Sequence, residues 1–296
     1  MKRTRPTDSD PTVSGWLLLL LLALVWGSSY ILIKKGLVAF RAEQLAGLRV
    51  SISALALLPV LLWRFRKIDW SKWPYLLVVG ITGNFVPAFL FAFAQTELNS
   101  STTGVLSSLT PLFTLLIGIF FFQVPSRWTK ILGVLLGLGG AVFLILFGKK
   151  AGLEGNLWYG GLVILATLMY SMSVNTAKYY LQDMDAILIS VASFAFIGTP
   201  GAIYLFSTDF VEVLTTHEHG WSSLGYITIL SLLGTVIASI LFYQLVQMTS
   251  ALFASTVSYL IPIIALMWGA VDGEPITLLH LVGMTTILTG VYVASK

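Results

Sequence analysis

The second half of this sequence repeats the first half at many positions. When the halves are aligned on Pro111 and Pro262, further residues of the same type coincide over most of the length. The other matched pairs, with a one-residue gap before the last two, are Gly83 with Gly234, Phe91 with Phe242, Ser107 with Ser258, Leu109 with Leu260, Gly133 with Gly283 and Gly140 with Gly290. A chain of this kind is built of two copies of one unit, so any topology that the first half adopts must also suit the second.

The composition of this unit indicates a lipid environment. Hydrophobic residues make up 57% of the chain and charged residues only 10%, and the mean hydropathy is +0.89. A chain this apolar is typical of an integral membrane protein. The net charge of +4 comes from basic residues scattered over short loops, which argues against a nucleic-acid-binding surface. The chain has no cysteine, which excludes disulfides, thiolate metal sites and cysteine nucleophiles.

Apolar runs of about 20 residues, the length that crosses a bilayer as a helix, follow one another along the chain. We predict ten helices, at residues 14–34, 44–64, 73–95, 100–122, 127–147, 156–178, 186–206, 222–247, 249–271 and 277–295. Each half holds five, and because five is an odd number the second half must enter the membrane from the opposite side. The predicted fold class is all-α integral membrane, with ten transmembrane helices as two inverted five-helix repeats around a central cavity.

Basic residues in the loops predict the orientation. With the N-terminus inside, the inner segments carry eleven lysines and arginines and the outer segments five, so both termini are expected in the cytoplasm. The predicted organisation is a disordered cytoplasmic N-terminus at 1–13, a first five-helix repeat at 14–147, an outer connecting loop at 148–155 and a second five-helix repeat at 156–296.

Several stretches resemble one known family. They are WGSSYILIK from Trp26, SSTTGVLSSLTPLFTLL from Ser100, the two glycine-spaced closures GVLLGLGGAVFLI and LVGMTTILTGVYVA, and Glu274. In this order and at this length they resemble the EamA family of the drug/metabolite transporter superfamily. The resemblance implies a ten-helix inner-membrane transporter with cytoplasmic termini and a central cavity, which often exports amino acids or related metabolites. One departure is Gln123, which stands where the repeat partner is Glu274. We therefore do not assign to this chain any role that the family would base on a symmetric pair of carboxylates.

Polar side chains on spanning helices must face protein or water, so they indicate where a solute would lie. On the first helix Trp26, Ser29 and Tyr30 share one face, and on the third Asn84 and Phe91 do so. The candidate substrate-binding residues are Trp26, Ser29, Tyr30, Asn84, Phe91, Ser107, Tyr170, Phe242, Ser258 and Tyr259. Aromatic rings with neutral hydrogen-bonding groups suit a small amphipathic solute, and the rings could also hold a cationic amine.

Each of these positions has a structural alternative. Serine in a spanning helix often bonds to the preceding turn, and Asn84 lies where it could satisfy a carbonyl freed by Pro87. Pro111 and Pro262 are predicted gating hinges, with a purely shape-giving kink as the alternative. The glycines Gly133, Gly137 and Gly140 indicate a packing seam or a dimer face.

Charges inside the spans are few. Arg49 lies in the second helix, near enough to its outer end to snorkel, and is otherwise a candidate gating or substrate contact. No Asp or Glu falls at the middle of a predicted span, which favours facilitated transport over proton coupling.

The function predicted is a secondary transporter that exports small metabolites, most plausibly amino acids or similar amphipathic solutes, by alternating access. The alternative is a lipid or lipid-linked sugar translocator of the same fold. An enzyme is disfavoured: His217 and His219 are too few for a metal site, and no phosphate loop or hydrolase motif is present. We expect no cofactor, no metal and no nucleic acid. The expected partners are a small-molecule substrate and the lipid bilayer, with the protein a monomer or weak homodimer.

Overall fold

The computed structural model describes residues 11–98, 100–125, 127–147, 157–271 and 278–294. These residues form helices and connecting turns, with no strand among them. The predicted N-terminal segment (apart from its last three residues), the loop at 148–155 and Glu274 lie outside this range. The helices are α1 (Val13–Gly36), α2 (Ala42–Arg64), α3 (Trp73–Gly80), α4 (Val86–Ala94), α5 (Ser100–Ser107), α6 (Thr110–Phe122), α7 (Trp128–Phe147), α8 (Leu157–Tyr180), α9 (Ala186–Phe206), α10 (Phe210–Thr216), α11 (Gly220–Ser231), α12 (Ala238–Met248), α13 (Ala251–Ser255), α14 (Val257–Val271) and α15 (Leu278–Ala294).

Helix ends carry local signals that agree with these bounds. Thr12 caps α1 by accepting a hydrogen bond from the amide of Gly15, and two lysines lie in the last turn, where cations stabilise the helix dipole. Asp185 caps α9 by accepting from the amide of Ile187 at 2.8 Å. The short helix α10 was not predicted, because the polar loop from Ser207 to Trp221 contains no apolar run long enough to span.

Six helical segments in the described part of the chain are long and apolar enough to cross a membrane. They are Val13–Gly36, Ala42–Lys67, Trp70–Ala94, Trp158–Tyr180, Ala186–Phe206 and Gly220–Met248. Four shorter apolar helices accompany them, at Thr110–Phe122, Trp128–Gly140, Ala251–Ile264 and Thr285–Ala294. Large apolar side chains such as Leu17, Leu62, Phe120 and Trp158 are exposed, while many Ser and Thr side chains are buried. This distribution suits a protein whose surroundings are lipid.

Helices of the two halves pack against each other. Helix α1 contacts α11, α12 and α14, α2 packs along α9, and α7 packs along α15. Glycines make the last contact close: a Cβ at Gly133 would lie 2.6 Å from the Cα of Ala294, and one at Gly290 would lie 2.7 Å from the Cα of Gly137. The predicted glycine seam therefore lies between two helices of the same chain.

Four of the predicted helices are not continuous α-helices in the structure. Two contain a π-helical segment, at Ile81–Phe85 and at Leu232–Ile237. The other two break into α5 and α6 and into α13 and α14. Pro87 lacks the N–H that would bond the carbonyl of Gly83, which accounts for the first π segment. Apolar periodicity does not reveal such interruptions, because the flanking residues remain helical.

The predicted hinge prolines occupy different positions in their helices. Pro111 lies in the first turn of α6, directly after the break, whereas Pro262 lies inside α14. The N–H that Pro111 lacks would have bonded the carbonyl of Ser107, and the hydroxyl of Thr110 donates to that carbonyl instead, at 2.6 Å. Pro111 therefore begins a helix rather than kinking a continuous one.

Candidate functional site

A cavity of about 110 Å³ lies where the helices of the two halves meet. One water molecule needs roughly 10–15 Å³ measured in the same way, so the cavity has room for a small solute rather than for isolated waters. Its lining residues are Trp26, Ser29, Tyr30, Ile33, Arg49, Gly83, Asn84, Phe91, Ser107, Thr110, Tyr170, Ser173, Val174, Gly234, Thr235, Ser239, Phe242, Tyr243, Ser255, Val257, Ser258 and Ile261.

Most of the predicted substrate-binding residues lie on this cavity. Those that line it are Trp26, Ser29, Tyr30, Asn84, Phe91, Ser107, Tyr170, Phe242 and Ser258. The predicted gate residues Pro111 and Pro262 do not line it, whereas Arg49 does. Whether any of these side chains binds a solute stays a prediction.

Tyr259 lies outside the cavity. Its side chain is fully buried, and its hydroxyl donates a hydrogen bond to the carbonyl of Val134 at 2.8 Å. Its ring fills the space beside Gly137, where an added Cβ would lie 2.8 Å from Cδ2. The residue therefore joins α14 to α7. Tyr259 follows Ser258 directly, and one residue is a rotation of about 100° on a helix, which turns the ring away from the cavity.

Aromatic rings from both halves form the cavity walls. The rings of Trp26 and Phe242 lie 5.1 Å apart, and Phe91 stacks on Tyr170 at 5.7 Å and an interplanar angle of 25°. The indole Nε1 of Trp26 donates to the carbonyl of Gly234 at 3.0 Å. That hydrogen bond satisfies a backbone group within the second π segment and orients the ring, so the wall is built before any solute arrives.

The predicted serines use their protons within their own helices. Ser29 donates to the carbonyl of Val25 at 2.8 Å, and Ser258 to that of Ser255 at 2.9 Å. Ser107 donates to the carbonyl of Gly104 at 2.5 Å. The hydroxyl protons of these serines are therefore used in bonds to the preceding turn, which is the structural alternative to binding a solute. Their oxygens still line the cavity and offer acceptor lone pairs to it.

The two π segments bring repeat-equivalent residues to the cavity. Gly83 and Asn84 come from the first segment, and Gly234 and Thr235 come from the second. A Cβ at Gly234 would lie 2.8 Å from the Oγ of Ser29, so a larger residue would push the helices apart. Such π segments are frequently found at functional sites.

Asn84 lines the cavity, but its amide nitrogen is turned into the protein. The Nδ2 is buried and interacts with the hydroxyl of Tyr243. It makes no hydrogen bond to a backbone group freed by Pro87, so that structural alternative is not what the structure shows.

Arg49 supplies a positive charge to the cavity. Its Nε donates to the Oγ1 of Thr235 at 2.8 Å, and its guanidinium lies near the phenols of Tyr170 and Tyr30. Sequence reasoning favoured a snorkelling side chain, but Arg49 projects between the helices because α2 packs with this face toward the second π segment. Among the residues that the structure describes, no Asp or Glu lines the cavity.

Some lining residues were not anticipated from the sequence. Tyr243 follows Phe242 directly, and both line the cavity although adjacent positions normally diverge on a helix. The signal that could have found Gly83 and Gly234 was their equivalence in the repeat. No group of three or more metal-ligating side chains occurs in the described residues. The two histidines of the predicted outer loop interact locally: the amide of His219 donates to the Nδ1 of His217.

The sequence also has relatives among known proteins. The model of the EamA-like transporter family matches residues 13–146 and 157–296. An uncharacterized transporter of Archaeoglobus fulgidus is 23% identical over 95% of this chain and 98% of that protein. The uncharacterized inner membrane transporter YedA of Escherichia coli is 24% identical over 91% of this chain and 87% of its own length.

A solved crystal structure shares the fold at 17% sequence identity. The two structures superpose with a TM-score of 0.68 over 95% of this chain and 96% of the other. The family model covers both halves of the sequence, and the resemblance seen in the motifs is confirmed. This chain is a multi-pass membrane protein and belongs to the EamA-like transporter family.

Proposed function

We propose that this protein is a secondary transporter that exports small amphipathic metabolites, such as amino acids, by alternating access. The observation that carries the proposal is the cavity between the halves, whose walls come from repeat-equivalent positions such as Phe91 and Phe242 or Ser107 and Ser258. A site shared by two similar units can open to one side or the other when the units rock against each other.

We further propose ten transmembrane helices arranged as an inverted repeat. In support, α2 packs on α9 and α7 packs on α15, and each of these pairs joins helices at equivalent places in the two halves. A two-fold axis between the halves produces contacts of this kind. The four shorter apolar helices would supply the spans beyond the six long ones.

Two ion pairs agree with the proposed topology, in which successive loops lie on alternate sides of the membrane. We propose from the basic residues of the loops that both termini are cytoplasmic. Arg41 pairs with Asp209, and both belong to predicted outer segments. Lys72 pairs with Asp183, and both belong to predicted inner segments. The ammonium of Lys72 holds the pKa of the Asp183 carboxyl below its usual value, so the pair persists at neutral pH.

The cavity size favours a compact solute over a lipid. An apolar cavity of roughly 150 Å³ accommodates benzene, so a site of about 110 Å³ suits a solute near the size of one ring. The described part of the lining holds no carboxylate to carry a proton, which supports transport down the gradient of the solute itself.

Flux into proteoliposomes tests this function. The purified protein would be offered aromatic, aliphatic and cationic amino acids and one lipid probe, with and without a pH gradient. We expect saturable flux of a small solute that persists without the gradient and falls at least about tenfold in Trp26→Ala, because a ring of the cavity wall is lost. Arg66→Gln changes an exposed residue outside the cavity and serves as the control. Flux of the lipid probe alone would contradict the proposal, and strict dependence on the pH gradient would contradict facilitated transport.

A further inference from the structure

We propose that Arg49 forms a carboxylate-binding subsite in the cavity that Asn84 also lines, and that the solute is a compact monocarboxylate with an apolar body. This inference rests on the proposed function, because it names the group by which the same cavity would hold its solute.

The first argument is the uncompensated charge of Arg49. A cation inside a membrane protein normally pairs with an anion, because leaving it unpaired away from bulk water is costly. In the described residues Arg49 takes part in no ion pair, and its contacts are the neutral groups of Thr235, Tyr170 and Tyr30. The cavity therefore carries a positive charge that a bound anion would neutralise.

The second argument is the direction of the hydrogen-bonding groups. The guanidinium of Arg49 lines the cavity and can only donate. A carboxylate accepts at both of its oxygens, and an arginine fork matches that planar geometry. One carboxylate can therefore satisfy the guanidinium. Asn84 lines the same cavity, so a charge placed at that residue would act on the same solute.

The third argument concerns net charge. A monoanion bound beside Arg49 leaves the loaded cavity neutral, whereas a dianion such as a phosphate monoester leaves one negative charge in excess. Excess charge of either sign is unfavourable in a membrane interior. A solute with an amine and no carboxylate adds a second positive charge to that of Arg49. Within the described lining, which has no Asp or Glu, aromatic rings are the groups that offset this charge.

The body of the solute is expected to be apolar and compact. The rings of Trp26, Phe91, Tyr170 and Phe242 line the remaining wall, and the volume suits about one ring. Burial of such a body against these rings would supply affinity, while the subsite would orient the acid group.

Three probes that differ only in their charged groups test the subsite. They are 3-methylbutanoate, valine and isobutylamine. The first carries a carboxylate, the second a carboxylate and an amine, and the third an amine. Binding to the full-length protein in detergent would be measured by calorimetry at mildly alkaline pH. We expect the acid to bind at least about tenfold more tightly than the amine, with valine between them. Binding of the amine as tightly as the acid, or no binding of the acid, would overturn the proposal.

Variants of Arg49 and of Asn84, which lines the same cavity, sharpen the test. In Arg49→Gln the acid should bind about 10- to 100-fold more weakly, because a charge-assisted pair of hydrogen bonds is lost. Arg49→Lys keeps the charge without the fork and should retain part of the affinity. Asn84→Asp places an anion in the same cavity and should weaken binding of the acid while sparing the amine. Arg66→Gln is the matched control for removal of one positive charge outside the cavity.

The readouts separate this inference from the proposed function. Thermal unfolding of each variant would show whether it is folded, and Asn84→Asp tests the subsite even if Arg49→Gln does not fold. Binding of the acid that depends on Arg49, without flux, would support the subsite and contradict transport. Flux of the acid that is unchanged in Arg49→Gln would support transport and overturn the subsite.

Discussion

At the scale of single residues, the structure separates side chains that line the cavity from neighbours that hold the helices together. Tyr259 and Tyr170 illustrate the difference: the hydroxyl of the first bonds to the carbonyl of Val134 away from the cavity, and the second lines the cavity beside Arg49. We expect Tyr259→Phe to lower the free energy of unfolding by about 0.5–1.5 kcal/mol, the net contribution of one hydrogen bond, with solute affinity unchanged. Unfolding in a detergent titration and calorimetric binding would measure the two effects.

Tyr170→Phe is the matched variant for this comparison, because it makes the same chemical change inside the cavity. It should alter solute affinity through its contact with Arg49. A loss of affinity in Tyr259→Phe without a loss of stability would show that the cavity extends to Tyr259 and that the assignment of this residue to packing is wrong.

At the scale of the helices, close packing of α7 on α15 depends on glycines. In Gly133→Ala the new methyl group would lie 2.6 Å from the Cα of Ala294, and that backbone cannot move aside as a flexible side chain would. We expect the free energy of unfolding to fall by about 1–3 kcal/mol, as for other overpacked positions. The same detergent titration measures it.

Gly139→Ala in the same helix provides the control. A Cβ at Gly139 meets nothing within 4 Å, so only the helix propensity changes, and it favours alanine by up to about 1 kcal/mol. Equal destabilisation of both variants would mean that glycine content, rather than the contact with α15, determines the stability of α7.

At the scale of the whole molecule, alternating access requires the two halves to separate at one end at a time. The ion pair of Lys72 with Asp183 and that of Arg41 with Asp209 each join one half to the other, at predicted opposite ends. The chain has no cysteine, so cysteine pairs at these positions can be cross-linked specifically. We expect a reductant-cleavable bismaleimide across residues 72 and 183 to stop flux, and its cleavage to restore flux.

A cross-link across residues 41 and 209 should stop flux as well, because each cycle must open both ends in turn. The single-cysteine variants treated with the same reagent control for modification alone. Undiminished flux in either fully cross-linked protein would contradict alternating access between these halves.

The sequence by itself determined the helices, the lipid environment and the duplication. These depend on properties that are local to the chain: apolar runs of spanning length, caps such as Asp185, and residues that recur at one spacing. Most of the substrate-binding residues predicted from these patterns line the cavity, because a polar group on an apolar helix has few places to lie.

Only the tertiary structure decided which way individual side chains face near the centre. Trp26 bonds to the Gly234 carbonyl from 208 residues away, and Arg49 reaches Thr235 across the boundary between the halves. Tyr259 turns from the cavity because Gly137 on another helix leaves room for its ring. The orientation of a side chain at a helix interruption depends on partners that are distant in sequence. The apolar periodicity of a single helix gives no information about those partners. For that reason the sequence did not show that Arg49 places its positive charge in the cavity, and the tertiary structure did.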